Sequence, residues 1–180
     1  IGRARGGERA RVGKGNPKDI MEELEIILVK GHVAKDSLSD ETLKKILVDN
    51  NLGIDCSGFA YYVLDAENRA RGYGHINRRM TFLKGKNPVA KMFSYLRPAQ
   101  NCDVRAFASD MNSRIVAMKS AQAGDIITMI DAGDAVERAE RNHILVITDV
   151  VQESGETKSL SYAHAIAYPE DGLYGSGVKQ

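Results

Sequence analysis

The groups in this chain most able to act as nucleophile, base or metal ligand are two cysteines and four histidines. Cys56 lies in the stretch GIDCSGFAYYVL, residues 53–64. Asp55 reads as a helix N-cap, which puts Cys56 at the first helical position. Free backbone N–H groups and the helix macrodipole favour an anion there, so the thiol has a reason to ionise. The Cys56 N–H is also placed to act as an oxyanion donor. Ser57 and Gly58 are small and would let a substrate approach closely. Phe59, Ala60, Val63 and Leu64 follow at helical spacing and would anchor the helix in a core. Asp55 opposes thiolate formation by charge, although a cap carboxylate spends its oxygens on N–H groups. The competing reading makes Cys56 a small buried hydrophobe, and a partner base has to decide between the two. A single Cys56–Cys102 bridge is a further alternative, since two cysteines make no disulfide framework.

Of the histidines, His32 lies just past a helix exit and His75 lies in the basic loop RGYGHINRR, at the surface or in contact with substrate. His143 opens the branched run HILVITDVV, and His164 lies inside SLSYAHAIAY. If Ser154-Gly155 is a two-residue hairpin turn, Glu153 pairs with Glu156. His143 and His164 then share a face as diagonal neighbours, about 7 Å apart at the backbone. A one-residue slip would put them on opposite faces. In the first register Cys56 attacks, His143 takes its proton and His164 orients His143. Zinc is the competing chemistry for these residues. The CxxC and HxxxH-type spacings that would support it are absent, so zinc is not the expected chemistry.

The elements that must carry these groups follow from patterning. NPKDIMEELEIILVKG is a helix, with Asn16 as cap, Pro17 in the first turn and Gly31 at the exit. SDETLKKILVDNN is a second, capped by Ser39 or Asp40. NPVAKMFSYL (87–96) reads as a short helix within a less regular region at about 68–120. GDIITMI (124–130), HILVITDVV (143–151) and SLSYAHAIAY (159–168) read as strands. Helices first and an antiparallel sheet afterwards argue for an α+β domain.

Bulk composition narrows the class. The length of 180 residues suits one domain, and 43 % apolar with 27 % charged residues reads as an ordinary globular protein. A net charge of +1 gives no field that argues for nucleic acid or membrane. No apolar run approaches the ~18 residues of a membrane span. Residues 1–15, IGRARGGERARVGKG, are rich in Arg and Gly with almost nothing apolar. That composition reads as a flexible basic tail or linker, in preference to an arm for nucleic acid or an anionic envelope polymer. Residues 16–180 then form the domain, which reads as truncated at both ends.

Four features in order resemble the NlpC family of papain-like cysteine peptidases, which act on bacterial cell walls. They are DCSGF (55–59), the Gly-Asp turn into a strand in AQAGDIITMI, a histidine opening an apolar strand in NHILVITDV, and a histidine on the next strand in SYAHAIAY. The resemblance covers roughly residues 50–170. It implies a papain-like fold, with the nucleophile helix packed on the C-terminal sheet. It also implies amide hydrolysis in peptidoglycan stem peptides by Cys56, His143 and His164, no cofactor, and an extracellular or cell-envelope location. A cysteine hydrolase or acyltransferase of the same fold with another substrate, such as a secreted effector or toxin, is the alternative. A non-catalytic module binding wall polymer or protein is a third reading.

Two departures stand out. The family's aromatic-Gly-Gly stretch before the cysteine is replaced by LVDNNLGI, and the span from Cys56 to His143 is long. The extra length, within about 68–120, is expected to border the cleft. Tyr61, Tyr73 or Tyr95 would then replace the missing aromatic, joining Asp55, Ser57 and Gly58 around the substrate or oxyanion.

Overall fold

The computed structural model describes residues 2–82, 92, 95–130, 142–166 and 175–180, with side chains from residue 6 onward. The described residues contain six α-helices and a four-stranded antiparallel sheet of order β1-β2-β3-β4. The helices are α1 Gly2–Arg11, α2 Pro17–Lys30, α3 Asp40–Asp49, α4 Cys56–Ala70, α5 Pro98–Asn101 and α6 Val104–Ala108. The strands are β1 Ile126–Met129, β2 His143–Glu153, β3 Glu156–Ile166 and β4 Gly177–Lys179. The class is α+β. No described helix is long and apolar enough to cross a membrane.

Residues 1–15 depart from the expected tail. Gly2–Arg11 is helical and packs against α2, with Ala10 fully buried. The composition misled because two of the arginines and two of the glycines meet acids of α2. Arg9 forks onto Asp19 at 2.6 and 2.8 Å, and Arg11 donates to Glu23 at 2.6 Å. The glycines are where α2 acids come close: a Cβ on Gly6 would lie 2.8 Å from Asp19 Oδ1, and one on Gly7 would collide with the Glu23 carboxylate. Ala10, Leu24, Leu28 and Leu52 form a small N-terminal core, flanked by Leu43, Ile46 and Leu47 of α3.

Helix boundaries follow local chemistry. Asn16 and Asp19 form a reciprocal capping box at the start of α2, and Ser39 caps α3 by accepting from the Thr42 N–H. Gly31 does not take the left-handed conformation at the α2 exit: it lies at φ −83°, and His32 takes φ +53° instead. The Val33 N–H then closes on the Leu28 carbonyl at 2.9 Å. The helix expected over 87–96 falls largely outside the described residues.

The main core lies between α4 and the sheet. Ala60 and Tyr61 of α4 pack with Ile144 and Val146 of β2, and with Phe82, Val104, Phe107 and Cys102 from the intervening segment. Cys102 is fully buried beside Met80 Sδ at 3.8 Å, and both cysteines are free thiols.

The β2–β3 hairpin turns at Ser154-Gly155, with φ +55° and +83°, as a two-residue primed turn requires. Glu153 pairs with Glu156. Two bulges follow. The pairing passes over Lys158 on β3, and later over Thr148 on β2. Each shifts the register by one residue and the second cancels the first, so Val146 pairs with Ala163 as an unbroken ladder would have it.

Candidate active site

Cys56 is the first residue of α4, and Asp55 is its N-cap. The Asp55 carboxylate accepts from the Gly58 N–H at 2.6 Å. The thiol meets the beginning of β2. Its Sγ lies 4.0 Å from the Asn142 carbonyl, one residue before His143.

His143 and His164 are hydrogen-bonded, with His143 Nε2 2.7 Å from His164 Nδ1 and the rings edge to face. The compensating bulges bring this about, because an uncancelled shift would have turned one histidine to the opposite face. Cys56, His143 and His164 line one cavity of about 690 Å3 with Ile54, Met129 and Tyr162. Ser176 and Gly177, at the start of β4, also line it. A larger cavity of about 1070 Å3 lies along α4, and none of these three residues borders it. Among the described residues, no group of three His, Cys, Asp or Glu side chains is placed to hold a metal ion.

Electrostatics differ from the expected ionised thiol. Burial pushes the Cys56 thiol up, and the Asp55 charge adds to this. Backbone N–H groups of Ile144 and Ser57, together with the Lys14 charge, pull the other way without prevailing. Loss of water around sulfur is the largest of these effects. Burial also lowers His143, helped by repulsion from His164, and burial lowers His164. The resting arrangement is a neutral thiol beside neutral imidazoles.

Several expected site residues are placed elsewhere. Ser57 is buried and accepts from Lys14 Nζ at 2.5 Å while donating to Asp55 at 3.1 Å, so it faces the protein. Gly58 is small for packing: a Cβ there would lie 2.8 Å from the Gly13 carbonyl oxygen. Asp55 borders the cavity, with its oxygens held by Gly58, Lys14 and Ser57. Tyr61 is buried in the core and borders the larger cavity. Tyr73 is 56 % exposed beneath the Arg79 guanidinium, and Tyr95 packs edge to face on Phe82. His75 contacts the Asp65 carboxylate at 3.2 Å, and His32 is exposed beyond α2.

Among the described lining residues, the tyrosine or phenylalanine beside the cysteine is Tyr162, whose ring centroid lies 5.5 Å from that of His164. Its signal was in the sequence, because a residue two before His164 on a strand shares its face. Lys14 carried no such signal. Its contact with Asp55 spans the whole N-terminal helical unit and depends on tertiary packing.

No protein-family model matches the chain, and no curated protein or solved structure matches it.

Proposed function

We propose that this protein is a cysteine peptidase or amidase that hydrolyses amide bonds through an acyl-enzyme, with peptidoglycan stem peptides as substrate class. The observation that carries the chemistry is the cysteine at the head of α4 sharing one cavity with a hydrogen-bonded histidine pair. The substrate class, the papain-like fold and a cell-envelope location rest on the NlpC-like motif order.

The hydrogen bond supports one division of roles. With His143 Nε2 committed to His164, His143 Nδ1 is the nitrogen left to serve the thiol in this reading. For Nδ1 to act as base, Nε2 carries the proton and donates to His164 Nδ1, and His164 is protonated at Nε2. Sγ bonds to the scissile carbonyl carbon as its proton passes to His143 Nδ1, and the Cys56 N–H donates to the developing oxyanion. The C–N bond then breaks as His143 returns the proton to the leaving amine. Water, deprotonated by His143, attacks the thioester, and the thiol leaves with that proton. Burial of both partners favours proton transfer concerted with attack over a standing ion pair.

One observation favours a second reading, a hydrolase or acyltransferase of the same fold with a non-wall substrate. Asp55 is the only charged side chain among the described lining residues, and Ile54, Met129, Leu145 and Ile166 supply an apolar wall. Stem peptides carry carboxylates that a cation would be expected to meet. Purified muropeptides and a panel of aryl esters and amides, each incubated with wild type and Cys56→Ala, separate the readings. Cleaved muropeptides with wild type alone support the wall peptidase. Turnover confined to the small acyl substrates supports the second reading, and no Cys56-dependent turnover or acyl adduct overturns both.

A further inference from the structure

The segment that leaves α1 does not pass by the nucleophile helix; it is built into its first turn. The chain turns at Gly13, with φ +71°, and Lys14 pairs with Ile54 as an antiparallel bridge. The Asp55 N–H donates to the Gly13 carbonyl at 2.7 Å, and the Tyr62 hydroxyl donates to the Lys14 carbonyl at 2.8 Å. These bonds fix the Lys14 backbone on both sides of the α4 N-terminus. Its side chain is then carried inward, leaving the residue 9 % exposed.

There the ammonium meets three acceptors: the Asp55 carboxylate at 2.9 Å, Ser57 Oγ at 2.5 Å and the Cys102 carbonyl at 3.3 Å. An ammonium has three N–H donors, and each has an acceptor. Two acceptors flank Cys56 directly in sequence. The third ties the α5–α6 junction to the same point.

We propose that Lys14 is a positioning residue for Cys56: it neutralises the cap carboxylate of Asp55 and fixes the turn that presents the thiol. This rests on the proposed cysteine chemistry and adds a part to it. A cap aspartate is favourable to the helix yet places a negative charge beside a sulfur that must become negative during attack. Lys14 keeps the cap and counters that opposition. The N-terminal helical unit is thereby a component of the site.

The test is the pH dependence of iodoacetamide labelling of Cys56 in the full chain carrying Cys102→Ala, from about pH 6 to about pH 10, around the ordinary thiol range. It needs no substrate, so its failure is distinct from failure of the hydrolase reading. Lys14→Met is expected to raise the labelling midpoint by about half a pH unit, or about threefold in rate at neutral pH, because Asp55 is left uncompensated. Asp55→Asn, which keeps a capping side chain, is expected to lower it. The two charges act on sulfur additively, so the double variant should lie between the two single variants. A loosened turn would instead move both single variants in one direction. An unchanged midpoint in a folded Lys14→Met protein, or single variants that shift the same way, overturns the proposal. Should Lys14→Met fail to fold, an unchanged or raised midpoint in Asp55→Asn does so alone.

Discussion

At the scale of single residues, the proposed mechanism divides labour within the histidine pair. In it His143 Nε2 donates to His164 Nδ1, 2.7 Å away, so His164 is the acceptor that fixes the ring serving Cys56. An asparagine at that position supplies a carbonyl acceptor, and an alanine supplies nothing. His164→Asn is therefore expected to retain kcat/KM within about tenfold, while His164→Ala loses about 100-fold. Both changes remove the repulsion that lowers His143, so the acid limb of the pH–rate profile should move to higher pH. Steady-state rates across the acid range, on whichever substrate is turned over, check both expectations. Equal rates for the two variants would remove His164 from the mechanism.

At the scale of elements, the first turn of α4 is held by close backbone contact. Gly58 faces the Gly13 carbonyl oxygen, which a Cβ would approach to 2.8 Å. The neighbour is backbone and anchored by Asp55 and Tyr62, so it cannot swing aside as a side-chain end would. Gly58→Ala is expected to destabilise the protein by about 1–3 kcal/mol, read from urea unfolding midpoints at constant slope. A change below about half a kcal/mol would mean that the 12–15 segment yields easily. The two bulges of the β2–β3 hairpin are the other element-scale feature. Separately each would reverse the faces of the strand ends, and together they restore them.

At the scale of the whole molecule, the neutral state of the site links chemistry to stability. Both histidines have lowered pKa values in the folded protein, so the unfolded chain binds protons first as pH falls. Their contribution is complete above about pH 6.5, the unfolded value, and is lost as pH drops through the folded values. The raised Cys56 thiol acts in the opposite sense: its contribution is lost above about pH 8.5, where the unfolded thiol ionises. Stability should therefore form a plateau between these limits. Urea unfolding should show a shallower acid-side slope in a His143→Gln, His164→Gln double variant than in wild type. Identical slopes would show that the pair carries no such linkage.

Composition and patterning alone determined the helix caps at Asn16 and Asp55, narrowed the α3 cap to Ser39 or Asp40, and located three of the four strands and the Ser154-Gly155 turn, because capping, periodicity and turn chemistry act over a few residues; β4 carried no such signal. The shared face of His143 and His164 was legible from the turn, although by cancellation, since neither bulge was foreseen. Tertiary structure decided what depends on distant partners. It folded the Arg- and Gly-rich start into a helix because acids on α2 neutralise it, and it turned Ser57 and Gly58 toward Lys14 and Gly13. It placed Tyr162 at the cavity, where Tyr61 and Tyr73 were expected. It also set the direction of the Cys56 shift, because the water removed from sulfur, which pushes the thiol up, depends on everything packed around it.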